Sequence, residues 1–205
     1  MNNDELIVKE IINCEKGLLV DILDADLNLF IDNEFIKEVP IINSIYSIFK
    51  LTTTINNAIF MRKLCVFIRN LPNATEEEKE KFLKKYKKDE EKFAGKLIEI
   101  IDQINDSTKC KYEAKIFEKY FYEVIDYDTF KKFSYALSKI DIDDIDEGYR
   151  MLQEKSQIVD EHIMIQNDRG SAFLSVGMAD VVTFPGTCGF GFNERGKEFL
   201  NCIFE

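Results

Sequence analysis

The sequence predicts a mainly α-helical protein, a helical bundle that ends in a small β-hairpin element. Three observations carry that expectation. Only 3 Pro and 9 Gly occur in 205 residues, which favours long regular elements over turn-rich β architecture. Apolar residues recur three and four apart through most of the first 140 residues. Six of the nine glycines then fall after residue 169, where alternation replaces that spacing. With 45% hydrophobic and 12% aromatic residues, the chain has enough apolar side chain for a core, and disorder throughout is excluded.

The elements follow in order. "DELIVKEIINCEKGLLVDILDADLNLFID" places Leu6, Ile7, Ile11, Cys14, Leu18, Leu19, Ile22 and Leu23 at helical spacing, with a break expected near Gly17. "NEFIKEVP" turns the chain. The apolar stretch from Pro40 to Met61 then raises the question of a membrane span. Asn43, Ser47, Lys50, Thr54 and Asn57 fall 4, 3, 4 and 3 apart, a single polar stripe on a helix. Lys50 near a bilayer centre would cost roughly 2.5–3.5 kcal/mol. A long, mostly buried amphipathic helix is the better expectation, started by Pro40.

"LPNATEEEKEKFLKKY" holds a capping box, Thr75 with Glu78 three residues on. "EEKFAGKLIEIIDQIN" puts Phe93, Leu97, Ile100, Ile101 and Ile104 on one side. "STKCKYEAKIFEKYFYEVI" does likewise with Tyr112, Ile116, Tyr120, Phe121 and Val124, and "DYDTFKKFSYALSKI" with Phe130, Phe133, Leu137 and Ile140 behind an aspartate cap. In the tail, "MADVVTF" reads as a strand, "PGTCG" as a turn, "FGF" as the returning strand, and Asn193 caps a last helix. The expected division is a helical bundle over residues 1–155 and an element over residues 156–205 packed on it.

Helix, hairpin and closing helix in "LSVGMADVV…FGFNERGKEFL" resemble the C-terminal end of winged-helix domains, a likeness covering about 35 residues. The order "VPIINSIYSIFK…RKLCVFI", "EEEKEKFLKKY", "EKYFYEVIDYDTFKKFSYAL" and "FNERGKEFL" is similar to uncharacterised bacterial and phage-associated helical proteins. That second resemblance implies fold and origin only and transfers no catalytic or binding residue.

Formal net charge is −11, with 7 basic and 10 acidic residues in 1–75, 17 and 21 in 76–155, and 3 and 7 in 156–205. No segment is a basic footprint for nucleic acid. Between Ser156 and Ala172 the single basic residue is Arg169, too few for a recognition helix. The five cysteines, Cys14, Cys65, Cys110, Cys188 and Cys202, are scattered without a CxxC pair, so reduced, packed thiols are expected. The N-terminus carries acids where an export signal needs a basic flank, and a cytoplasmic location follows as an expectation.

Candidate chemistry is sparse. "IDIDDIDEGY" invites a calcium reading, but from Asp141 the fifth position is Ile145 and the sixth Asp146, while from Asp144 the fifth is Gly148. A polar helix start with Ile142 and Ile145 turned inward is the alternative. His162 is the one histidine, next to Asp160 and Glu161, whose side chains point in other directions on a regular element. Gly186, Gly189 and Gly191 have phosphate-loop-like spacing, but a strand rather than a helix follows. Phe190 and Phe192 alternate onto one face of the hairpin, and Phe184 is expected to join them across it. These three either close the small element's own core or form a partner-binding patch.

The expected function is therefore non-enzymatic: a protein-interaction or regulatory protein of a bacterium or phage, with a role in phage–host conflict suggested by association alone. No cofactor and no metal are expected. The partner is expected to be a protein, a basic one given the acidic surface, with homodimerisation as a further expectation and nucleic acid disfavoured. A membrane-associated effector using residues 40–70, whose rear carries Arg62, Lys63 and Arg69, is one alternative. A winged-helix transcriptional regulator is the other.

Overall fold

A computed structural model describes residues 55–72, 74–86, 90–154, 158–159, 162–165 and 167–205. The helices expected before Pro40, the first part of the Pro40–Met61 helix, and Asp160 and Glu161 lie outside them. Among the described residues the chain is mainly helical, with a small antiparallel sheet near its C-terminal end. The helices are α1 (Ile55–Arg69), α2 (Glu76–Tyr86), α3 (Glu90–Gln103), α4 (Lys109–Phe121), α5 (Tyr127–Lys139), α6 (Ile142–Glu154), α7 (Asn167–Ser175) and α8 (Glu194–Phe204). The strands are β1 (Ile158–Val159), β2 (His162–Ile165), β3 (Ala179–Phe184) and β4 (Thr187–Phe192).

The chain divides into two compact units. The first holds α1 through Ile68, α2, and α3 through Ile98. In it α1 buries Phe60, Leu64, Phe67 and Ile68, positions one helical stripe apart, and leaves Ile59, Arg62 and Arg69 exposed. The capping box forms as expected. Thr75 N donates to Glu78 Oε2 at 2.7 Å, and Glu78 N donates back to Thr75 Oγ1 at 3.4 Å. These bonds satisfy two of the orphan donors at the start of α2. Phe82 of α2 and Phe93 of α3 meet edge to face at 5.9 Å.

The second unit holds Arg69–Pro72 and everything from Glu99 onward. The segment expected as an element packed on the bundle, residues 156–205, therefore shares one compact unit with α4, α5 and α6. Its last helix explains why. α8 lies against α4, α5, α6 and β4, with Phe199 meeting Phe133 edge to face at 5.5 Å and Phe204 stacked on Tyr149 at 4.2 Å. Phe130, Phe133, Leu137 and Ile140 of the α5 segment are fully buried, as the spacing predicts. Asp126 caps α5 by accepting from Thr129 N at 2.8 Å, and Asn193 caps α8 by accepting from Gly196 N at 2.9 Å.

One expectation fails at the end of α4. The spacing places Val124 on the buried face, yet it is 67% exposed. The helix stops at Phe121, and Glu123 enters the left-handed region at φ 59°. Val124 N then donates to Lys119 O at 2.8 Å and Glu123 N to Tyr120 O at 3.1 Å, a Schellman closure that swings Val124 off the helical stripe.

The sheet runs β1-β2-β4-β3, each neighbouring pair antiparallel. β2 reaches past α7 and β3 to pair with β4, so α7 is carried across the sheet and packs on β3 and β4. The turn is shorter than the sequence suggests. Pro185 and Gly186 alone form it, Gly186 at φ 85°, and Thr187 to Gly189 already belong to β4.

Candidate functional site

Register decides what the three hairpin phenylalanines do. Val181 lies opposite Phe190 and Ala179 opposite Phe192, so Phe190 and Phe192 share a face, as expected. Phe184 lies opposite Thr187, which places it on the other face, with Val182. It does not join the other two across the hairpin. Phe192 is fully buried, its ring edge-on to Phe173 of α7 at 5.0 Å. Phe190 lies directly over Gly170 of α7, where a Cβ would fall 2.5 Å from the Phe190 Cβ. Phe192 therefore closes the core beneath the sheet, while Phe190 packs over Gly170 and stays half-buried. Phe184 is half-exposed at the hairpin end, followed by exposed Pro185, Gly186, Thr187 and Cys188. Phe184 and Phe190 both keep some exposed surface, and Phe184 is the one that stands at the hairpin end.

β3 flanks that tip. It carries one charge, Asp180, whose Oδ1 accepts from Asn193 Nδ2 at 3.2 Å. Val181 is 52% exposed. α7, the helix ahead of the hairpin, has Arg169 as its one basic residue. Its Nη1 donates to Asp144 Oδ1 at 3.0 Å and to the Asp143 carbonyl at 3.1 Å, so the cation is spent on the first turn of α6. That leaves no free cation on α7 for phosphate contacts.

A second polar feature, which the sequence reading passed over, is buried between α4 and α5. Glu113 has no exposed surface, and its Oε1 lies 2.8 Å from Ser134 Oγ in a hydrogen bond. Its Oε2 has no hydrogen-bond partner. Loss of hydration pushes its pKa up to about 8, against a smaller downward pull from Ser134. One turn earlier, Lys109 is also buried and donates to Asn105 Oδ1 at 2.9 Å instead of pairing with Glu113. Burial lowers the Lys109 pKa, with Asp141 and Asp106 opposing. The signal was present: Glu113 sits three and four residues before Ile116 and Phe117, on the apolar stripe of α4.

The remaining candidates disperse. Burial pushes the Cys65 thiol up to about 11 and Cys202 up to about 12, the opposite of an activated nucleophile. Cys110 is buried too, while Cys188 is exposed on β4. His162 opens β2, its backbone paired with Val159. The Asp141–Asp146 run forms the start of α6 with Ile145 fully buried and Ile142 partly so. Among the described residues no group of three or more His, Cys, Asp or Glu side chains is placed to hold a metal ion. Among them, too, no helix is long and apolar enough to cross a membrane. Compared with protein-family models, with curated proteins and with solved structures, the chain matches none.

Proposed function

We propose that this chain is a non-enzymatic protein-interaction or regulatory protein whose contact element is the β3–β4 hairpin. One observation carries the reading: the hairpin end, from half-exposed Phe184 through exposed Cys188, projects an apolar ring and uncharged backbone beside β3, the edge strand of the sheet among the described residues. The succession α7, hairpin, α8 supports a winged-helix-like description of this end of the unit. Regulation through DNA is the weaker form of it, because Arg169 is already paired with Asp144. The acidic balance of the chain selects against phosphate backbones and favours a protein.

Affinity capture with the tagged full chain tests this, comparing Phe184→Asp with Tyr135→Asp. Tyr135 is 52% exposed on α5 and serves as the control site. A stoichiometric protein retained by wild type and Tyr135→Asp but lost with Phe184→Asp supports the reading. Equal retention by both variants, each shown folded by circular dichroism, removes the hairpin as the contact element.

A further inference from the structure

We infer that the free edge of β3 is a pairing surface for a second copy of this chain, the two β3 strands joining antiparallel about a two-fold axis at Val182. The inference rests on the hairpin being the contact element and names its occupant. Among the described residues β3 ends the sheet, with β4 as its one strand neighbour. Their pairing runs unbroken over all six residues from Ala179 to Phe184, with no bulge to twist the edge away. Across a two-residue turn, Phe184 and Thr187 form a hydrogen-bonded pair, and the pattern then alternates. Phe184, Val182 and Asp180 thus direct their N–H and C=O groups at β4. Thr183, Val181 and Ala179 direct theirs outward, and none of these three has a backbone bond to another described element.

Exposed edges of this kind are ordinarily blunted by lysine, proline, a bulge or a short strand. β1, at the other end of the sheet, has only two residues. β3 has six, with no lysine and no proline, and its core is the β-branched run Val181, Val182, Thr183. Its single charge, Asp180, is turned to Asn193.

Charge pattern singles out a second copy as the occupant. A peptide chosen by electrostatics would find one carboxylate along the whole strand. Two β3 strands centred on Val182 instead place Val181 of each against Thr183 of the other, and the two Val182 side chains face each other. Asp180 falls opposite Phe184 of the second copy, so like charges never meet. The outward groups of Val181 and Thr183 then exchange four N–H···O bonds, two in each Val–Thr pair. An interface of one short strand per copy belongs to the weak, transient class, with Kd in the micromolar range or above. Both copies carry net charge −11, so salt should tighten the dimer by screening, not loosen it.

The test needs no mutation to begin. Amide hydrogen exchange of the full chain is followed from low to high protein concentration, together with sedimentation velocity. The expected result is a concentration-dependent dimer in which the Val181 and Thr183 amides slow, while those of Asp180 and Val182 are protected at every concentration. Thr183→Pro removes one outward donor without touching the β4 ladder, and Val181→Lys adds an edge charge; each should weaken the dimer at least tenfold. A sedimenting monomer at all concentrations overturns the inference. So does a dimer that leaves the Val181 and Thr183 amides unprotected. A monomer that still captures a partner through Phe184 would overturn the self-pairing alone and leave the interaction reading standing.

Discussion

Ser134 Oγ lies 2.8 Å from Glu113 Oε1 and 2.9 Å from the Phe130 carbonyl oxygen, inside the contact between α4 and α5. A hydroxyl has one proton and here faces two acceptors. A proton on Glu113 resolves the conflict: Glu113 donates to Ser134 Oγ, and Ser134 donates to the Phe130 carbonyl. The neutral carboxyl also leaves an unpartnered carbonyl at Oε2, not an unpartnered charge, which is far cheaper to bury.

A pH dependence of stability follows. With its folded pKa raised to about 8, Glu113 keeps its proton in the folded state between the unfolded value of about 4.3 and pH 8. The unfolded chain releases it there, so stability falls as pH rises, by about 1.4 kcal/mol per unit, and levels off above that window. Lys109, with its lowered pKa, adds the opposite slope toward alkaline pH. Glu113→Gln mimics the protonated form and cancels the Glu113 contribution alone. Urea melts from pH 5 to 8 should show the variant gaining on wild type as pH rises; a constant difference would mean Glu113 does not hold its proton.

Gly196 allows α8 to lie on the chain entering β3. A Cβ there would stand 1.9 Å from the Met178 carbonyl oxygen, a backbone atom that cannot rotate away. Gly196→Ala should therefore destabilise by about 3 kcal/mol or more, despite alanine's better helix propensity. Gly95, in α3, has nothing within 4 Å of the same position, so Gly95→Ala should be neutral or stabilising by up to about 1 kcal/mol. Thermal melts of the pair separate packing from propensity.

Glu123 holds a left-handed conformation that glycine adopts without cost. Glu123→Gly should raise stability by about 0.5–1 kcal/mol, and Glu123→Val should lower it by at least as much, since a β-branched residue strains there. Shifted denaturant midpoints with unchanged m-values would read these effects as changes in stability.

Thiol reactivity should follow burial. Cys188, exposed on β4, should react with a maleimide in the native state, whereas Cys65, Cys110 and Cys202 should react only after unfolding. Peptide mapping of labelled protein reads each site separately. Native labelling of Cys202 at the rate of Cys188 would mean that α8 leaves its place between α4 and α6.

Much of the local structure was legible along the chain because its causes are local. Thr75 and Glu78, Asp126 and Asn193 announced helix starts through side-chain bonds that span three residues. Phe93 to Ile104 and Phe130 to Ile140 announced buried faces through spacing alone, and all of them are buried. Other features were decided at a distance. Nothing in "YEVI" marks Glu123 as a left-handed stop, because no glycine stands there. β1 and β2 are too short to show alternation, and they gain their place by pairing, β2 with β4 across α7.

What the sequence by itself determined was a mainly helical chain, its capped helix starts, a closing hairpin and an acidic balance of charge. Each comes from spacing, propensity or charge within a few residues. The tertiary structure alone decided that Phe192 turns to the core with Phe190 half-buried on the same face while Phe184 turns the other way, that α8 unites α4, α5 and α6, and that Glu113 lies without solvent beside Ser134. Those outcomes depend on which face of a strand or helix a distant element covers, and covering is a property of contacts between segments far apart in the chain.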